Sequence, residues 1–164
     1  MNMNISVVVG NPRPRGRTWN AAHRIAGHFG EVTTSIDVID LGAGLLGWGD
    51  DGIRDAVARV AASDIVVFAS PTYKAAYTGV LKTFLDKFEG GVGLQGVVAV
   101  PMQLGGSATH SLSPELHLKP VLVELGATIP APALYLIDGD SPDPTEQAWV
   151  DRWAPVVRGA AKAR

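Results

Sequence analysis

The sequence predicts a three-layer α/β sandwich, in which a parallel sheet is covered by helices on both faces. Three observations predict it. Short apolar runs rich in β-branched residues recur along the chain without alternating with polar residues, which marks strands buried on both faces. Segments with apolar residues at helical spacing lie between them, giving the order β-α-β-α-β-α-β-α-β-α. Glycine, proline and capping residues stand at most of the boundaries. The 164 residues suit one domain over 1–164 built on one core. Apolar residues make up 46% and charged residues 18%, a globular rather than a disordered composition.

The elements follow in order. Residues 5–9, Ile-Ser-Val-Val-Val, form the first strand, ended by Gly10. A helix over 18–29 presents Ala22, Ile25, Ala26 and Phe29, with Gly30 as its stop. The second strand covers 33–41 and a glycine-rich loop covers 42–52. A helix over 53–62 places Ile53, Val57 and Val60 near one face, and 65–69 is the third strand, closed by Ser70-Pro71. Leu81, Phe84, Leu85 and Phe88 sit at helical spacing in a helix over 78–88. The fourth strand runs over 96–100 with Pro101 as its end, and a polar loop follows over 102–111. Ser113-Pro114-Glu115 reads as N-cap, proline at the first helical position and acidic first turn of a helix reaching Leu125. Pro120 kinks that helix by removing a backbone donor. The fifth strand, over 128–137, starts irregularly because of Pro130 and Pro132, and a last helix covers 144–163. Five strands and five helices in this length fit the flavodoxin-like strand order 2-1-3-4-5 better than a six-stranded dinucleotide fold.

In that order the loops after strands one, three and four are neighbours at the carboxyl edge of the sheet. They converge on the crevice between strands one and three, where such sheets bind ligands. The first loop contains Arg13, Arg15 and Arg17 for charge and Thr18 and Asn20 for polar contact, and it runs into a helix start with unpaired backbone N–H groups. That combination reads as a phosphate site, though not a Walker loop, since no Gly-Lys-Ser/Thr is present. In the second loop Tyr73 and Tyr77 suit a flat ring, with Thr72 and backbone amides at its polar edge. Ordinary packing of one of the tyrosines is the alternative. The third loop, Gly105-Gly106-Ser107, lets backbone approach a ligand closely.

Other features point to no chemistry. Net charge is −2, which gives no field to attract nucleic acid or an anionic membrane. The arginine loop on a near-neutral chain therefore suits one small anion. With no cysteine, disulfides, thiolate nucleophiles and cysteine-based metal sites are excluded. The apolar run after Met1-Asn2-Met3-Asn4 is too short for a signal or membrane segment, so the expected location is the cytoplasm. Gly42-Ala43-Gly44-Leu45-Leu46-Gly47 matches a dinucleotide string, but it follows the second strand and opens no helix. His110 and His117, seven apart and spaced to share a helix face, have no further metal ligands beside them, and His23 and His28 read as ordinary polar residues. Asp50, Asp51, Asp138, Asp140 and Asp143 read as solvated loop residues rather than a cation site. Lys82 and Asp86 form an i,i+4 pair, on the surface or across a subunit interface. No nucleophile elbow is visible.

The three loops resemble those of the NADPH-dependent FMN reductase family of flavodoxin-like proteins. The resemblance is carried by Gly10-Asn11-Pro12-Arg13 with Arg17-Thr18 and Asn20, by the run from Ser70 to Lys82 with Asp86, by Gly105-Gly106-Ser107, and by Leu118-Lys119-Pro120-Val121-Leu122. The chain is particularly similar to the flavin reductases of two-component sulfonate monooxygenase systems. The resemblance implies FMN as cofactor and NADPH or NADH as hydride donor. It implies that Arg13, Arg17, Thr18 and Asn20 hold the FMN phosphate, with Gly10, Asn11 and Arg15 in the same loop. Pro71, Thr72 and Tyr73, with Lys74 beside them, would contact the ring and ribityl chain, and Gly105, Gly106 and Ser107 the ring edge. Asn11 and Gly16 stand where the family often has serine, and residues 114–118 lack a tyrosine that some sulfonate-system reductases insert.

The implied reaction passes a hydride from nicotinamide C4 to flavin N5, so no catalytic side chain is named. A homodimer or homotetramer with Lys82 and Asp86 near an interface, and a flavin-dependent monooxygenase as partner, are also implied. Two other functions fit the same residues: an FMN-dependent quinone or azo reductase, and a flavodoxin-type electron carrier or flavin-binding protein. The low net charge argues against a carrier that docks through an acidic surface.

Overall fold

β1 (Ile5–Val9), β2 (Val32–Asp37), β3 (Ile65–Pro71), β4 (Val98–Gly105) and β5 (Leu134–Ile137) pair in parallel in the order β2-β1-β3-β4-β5. This is the order the sequence predicts. The computed structural model describes residues 3–139 and 143–162. Met1, Asn2, Asp140 and the expected helix end at Ala163 lie outside them. Among the described residues five α-helices cover the sheet: α1 (Arg17–Gly27), α2 (Asp51–Ala61), α3 (Gly79–Leu85), α4 (Lys119–Glu124) and α5 (Pro144–Lys162).

Successive strand residues point to opposite faces, and both faces are apolar. On one, Val7, Val9, Val67 and Met102 pack with Ile25 of α1 and Val157 of α5. On the other, Val8, Val66 and Phe68 pack with Val60 of α2, Leu81 and Phe84 of α3 and Leu122 of α4. Every residue of β1 is buried, as a central strand with neighbours on both sides requires.

Most boundaries shift by a few residues from the sequence reading, and the larger differences have local reasons. β2 ends at Asp37, opposite Val9, because its neighbour β1 ends there; a 3-10 stretch, Val38–Leu46, follows. β4 continues through Pro101 to Gly105. The N–H of Ala99 donates to the Thr128 carbonyl at 2.8 Å, on the β5 side. Donors alternate sides along a strand, so the Pro101 nitrogen faces that side too. There residues 129–133 form no strand, and β5 pairs only from Met102 onward. The missing N–H thus costs no ladder bond.

Ser113 stands at the N-cap position before Pro114 and Glu115, as expected, but its side chain makes no cap. It already has helical angles (φ −56, ψ −48), and its hydroxyl donates to Gln103 Oε1 at 2.9 Å. The kink expected at Pro120 takes the form of a π-helical turn, Pro114–Leu118, with the Lys119 N–H donating to the Pro114 carbonyl. The wider turn absorbs the donor that Pro120 lacks. The fifth strand is confined to Leu134–Ile137, with an isolated bridge from Thr128 to Val98 where the longer strand was expected to begin.

The junction of β1, β3 and α3 positions everything at the carboxyl edge. Thr78 caps α3 by accepting the Leu81 N–H, and its hydroxyl donates to the Gly10 carbonyl at 2.6 Å. The Ser70 hydroxyl oxygen accepts the Thr78 N–H at 2.9 Å. A Cβ on Gly10 would lie 2.2 Å from Leu81 Cβ and 2.6 Å from its Cα. Backbone, not a flexible side-chain tip, blocks that position. Gly10→Ala is therefore expected to cost about 3 kcal/mol, the upper range of overpacking, as a lowered urea midpoint. An unchanged midpoint would show that α3 does not sit against β1 as described.

Candidate functional site

The first loop is shaped by its own side chains before it meets any ligand. Asn11 is buried, and its Oδ1 accepts the Arg13 N–H at 3.0 Å, an Asx turn. α1 begins after Gly16 with no side-chain cap and no acidic residue in its first turn. The N–H groups of a first turn have no intrahelical acceptor, so this 11-residue helix presents an uncompensated positive end to the loop. Thr18 is buried in that turn. Among the described residues no ion pair engages the Arg13 guanidinium.

A crevice of about 600 Å³ lies between the three loops. Asn11, Arg13, Arg17 and Thr18 line it from the first, Pro71, Thr72 and Tyr73 from the second, and Gly105 and Gly106 from the third. The convergence expected from strand order is thus present. An adjoining recess of about 320 Å³ shares Arg17, Leu104 and Asp138 with it and is where Asn20 lies. Arg24 and Glu146 wall this recess as a two-point ion pair with contacts of 2.9 and 2.7 Å.

The other expected residues sit elsewhere. Arg15, in left-handed backbone at φ 50, lines neither space. Its N–H donates to Asp37 Oδ2 at 2.8 Å and its guanidinium forks onto Asp40, with Nη2 to Oδ1 at 3.0 Å. The hydrogen bond raises the Arg15 guanidinium above its ordinary value and lowers the Asp40 carboxyl below its own. Burial pushes the Asp37 carboxyl up, against the pull of the Arg15 N–H. Gly10 serves the junction with α3 rather than the crevice wall. Lys74 is also outside the crevice. With Ala75 it forms a tight turn, both at positive φ (50 and 69), closed by Tyr73–Ala76 backbone bonds of 2.8 and 3.2 Å. That turn carries Tyr73, 46% exposed, to the rim. Tyr77 packs against the core beneath α3, the ordinary reading of the two tyrosines.

Two buried supports were not legible from the sequence. Gln103, fully buried, donates from Nε2 to Thr72 Oγ1 at 3.0 Å and accepts the Ser113 hydroxyl, fixing Thr72 at the crevice wall. Tyr135 donates to the Ser107 carbonyl at 2.7 Å. A Cβ on Gly105 would lie 1.8 Å from the Tyr135 hydroxyl oxygen, so glycine is required there by Tyr135 beneath it. Gly106 has open space at its Cβ position, and Ser107 lies just beyond the lining. A buried glutamine in β4 and a tyrosine in β5 carry no motif; only pairing brings them under the loops.

Some solvated-loop readings also change. Asp138 lines the crevice, and its carboxylate meets Arg17 Nη1 at 3.1 Å while its N–H donates to the Gly105 carbonyl at 2.7 Å. Asp50 caps α2 through the Ile53 N–H at 3.0 Å. His110 ends a 3-10 turn and His117 lies in the π-helical turn, so they share no helix face. His23 bridges the Trp19 carbonyl and the Ser35 hydroxyl, each at 2.8 Å.

A family model described as NADPH-dependent FMN reductase matches residues 3–141. Two curated proteins named FMN reductase (NADPH) are similar. The one from Escherichia coli (strain K12) is 46% identical over 65 residues, 40% of this chain and 34% of that protein. The one from Pseudomonas putida (strain KT2440) is 40% identical over 68 residues, 42% of this chain and 34% of that protein. The matched part of the chain spans about a third of the length of these relatives. Among solved structures, an NADH:FMN oxidoreductase in its apo form aligns with TM-score 0.75 at 27% identity, over 99% of this chain and 88% of that one. An oxidoreductase from Corynebacterium diphtheriae aligns with TM-score 0.80 at 24% identity over 98% and 96% of the two chains, a likeness of fold.

The rim beside Asp138 depends on Asp143. Its Oδ2 accepts the Ile137 N–H at 2.7 Å and its Oδ1 the Thr145 N–H at 2.9 Å, capping α5 at the end of β5. Burial pushes this carboxyl up, but its hydrogen bonds with the Ile137 N–H and with the Thr145 N–H and side chain outweigh it and hold it below the ordinary value. A carboxyl depressed in the folded state stabilises above its unfolded pKa, and the gain is lost as pH falls through the folded one. Asp143→Ala is expected to lower stability by about 1 kcal/mol at neutral pH. The gap from the parent should narrow as pH falls below the usual carboxylate range, read from urea melts at several pH values. A gap constant with pH would remove the charge from the cap.

Proposed function

Since the chain belongs to the NADPH-dependent FMN reductase family, we propose that it is an NAD(P)H-dependent FMN reductase of one domain. The carrying observation is the meeting, in one crevice, of an uncapped helix N-terminus and the Arg13 guanidinium, which forms no ion pair among the described residues, with the Tyr73 rim and the open backbone at Gly106. The donor set fits FMN: cation and backbone N–H groups at one end for a phosphate, aromatic and backbone groups at the other for a flat ring. Bound FMN would supply the hydride chemistry with a nicotinamide nucleotide.

The residues have separate tasks in this reading. Arg13, Arg17, Thr18 and the first turn of α1 hold the phosphate. Thr72, fixed by Gln103 and by its own N–H to the Leu104 carbonyl, offers its hydroxyl to the ribityl chain and ring. Tyr73 covers the ring from the rim, and Gly105 and Gly106 let backbone approach its edge. Asn20 borders the recess beside the phosphate, and Asn11 sets the loop's shape. Positioning two rings against each other needs no side-chain acid or base. Supply of reduced FMN to a flavin-dependent monooxygenase, and a homodimer or homotetramer with Lys82 and Asp86 at its interface, complete the proposal by family resemblance. No helix among the described residues is long and apolar enough to cross a membrane.

The experiment is a flavin fluorescence titration of the purified protein, followed by addition of NADPH or NADH and measurement of nicotinamide absorbance. Saturable FMN binding and nicotinamide oxidation are expected. Failure to bind FMN would overturn the reading, and binding without oxidation would favour an electron carrier. Arg13→Ala is expected to weaken FMN about tenfold, the worth of a charge-assisted hydrogen bond, and to leave riboflavin, which has no phosphate, unchanged. Equal losses for both flavins would remove Arg13 from the phosphate site.

A further inference from the structure

The Arg17 guanidinium is not simply waiting for an anion. Its Nη1 lies 3.1 Å from the Asp138 carboxylate, with side chains 63% and 34% exposed. Both residues line the crevice and the adjoining recess, so the ion pair stands where the two spaces join. Asp138 is not on a loose tether. Its N–H donates to the Gly105 carbonyl at 2.7 Å, and Ile137 before it is held by Asp143. The backbone that carries the carboxylate is therefore held at the rim by bonds that do not involve its own side chain.

We propose that Asp138 competes with the flavin phosphate for Arg17 and so sets how readily phosphorylated flavin leaves the site. This rests on the flavin reading above. A phosphate at the start of α1 must take Arg17 from Asp138 or share it with a carboxylate of the same sign. Either way part of the attraction offered by Arg17 is offset before binding begins. Arg15 cannot make up the difference, since it is committed to Asp40 and Asp37. Arg13 keeps its full charge for the ligand. Riboflavin makes no demand on Arg17, so the competition acts on the phosphate alone. An exposed pair is weak, which suits a device that moderates affinity without abolishing it.

The test is a set of fluorescence titrations with FMN and with riboflavin on the parent protein, Asp138→Asn, Arg17→Ala and the double variant. Asp138→Asn keeps the side chain's size and the main-chain bond to Gly105. It is expected to tighten FMN about two- to fivefold, the scale of an exposed ion pair, with riboflavin unchanged. The rate of FMN dissociation by stopped flow should fall by the same factor. In the Arg17→Ala background the gain should vanish. Unchanged FMN affinity in Asp138→Asn overturns the competition, as does a parallel shift in riboflavin. A gain that survives in full without Arg17 also overturns it, because the carboxylate would then act by direct repulsion. A parent protein that binds neither flavin sinks the flavin reading itself, a result distinct from all of these.

Discussion

The buried hydroxyl of Thr78, donating to the Gly10 carbonyl at 2.6 Å, is the contact on which the geometry of the crevice depends. The end of a parallel strand leaves carbonyls to be satisfied, and the start of a helix leaves N–H groups. Here one side chain serves both: it accepts the Leu81 N–H and donates to Gly10. Ser70, at the end of β3, receives the Thr78 N–H. Two adjacent strands and one helix are tied within a few residues, and only glycine at position 10 leaves room for it. The first and second loops both leave from this knot and line the same crevice. Their separation is therefore set by core bonds rather than by the loops themselves, and the crevice can be open without being soft.

The first loop spends its three arginines differently. Arg15 shapes the loop, drawn back onto Asp37 and Asp40 with a left-handed backbone that those bonds hold in place. Arg17 is shared with Asp138. Arg13 is left for a ligand. Counting arginines overstates the positive charge at the crevice, and the acids that correct the count come from distant stretches: the end of β2 and the end of β5. An alternation of arginine and proline in the sequence says that a loop is cationic, but partner acids decide which cation is available.

This divides what the sequence made legible from what it did not. Strand order, the convergence of three loops and the uncapped start of α1 follow from local patterns, and the structure has them. The glycines at 10 and 105 were visible as glycines, but not for the reasons that require them. Leu81 and Tyr135 fill the places their Cβ atoms would take, and both partners are remote in sequence. Gln103 escaped notice, and Asp138 read only as a solvated loop residue, for the same cause: a polar residue gains its meaning from what pairing places beside it. Pro101 shows the converse. Proline reads as a strand end because a donor is lost, yet β4 passes through it, since the lost donor faces a side where β5 has not begun. Whether a proline breaks a strand depends on a neighbour the local sequence does not show.

The two ends of the crevice are built to different standards. At the ring end, Thr72 is fixed through Gln103 to Ser113, and the Ser107 carbonyl is tied to Tyr135, by bonds that are buried or half-buried and anchored on the buried Gln103 and Tyr135. At the phosphate end, the holding charges are exposed and one is already shared. Orientation of a ring demands rigidity, because a small displacement of reacting atoms is costly in rate. Retention of a phosphate demands only net attraction, which exposed charges grade finely and solvent ions screen. A protein that must align a flavin well and also let it go has reason to place its rigid bonds under the ring and its adjustable ones around the phosphate. That is how the buried and exposed polar groups are distributed along this crevice.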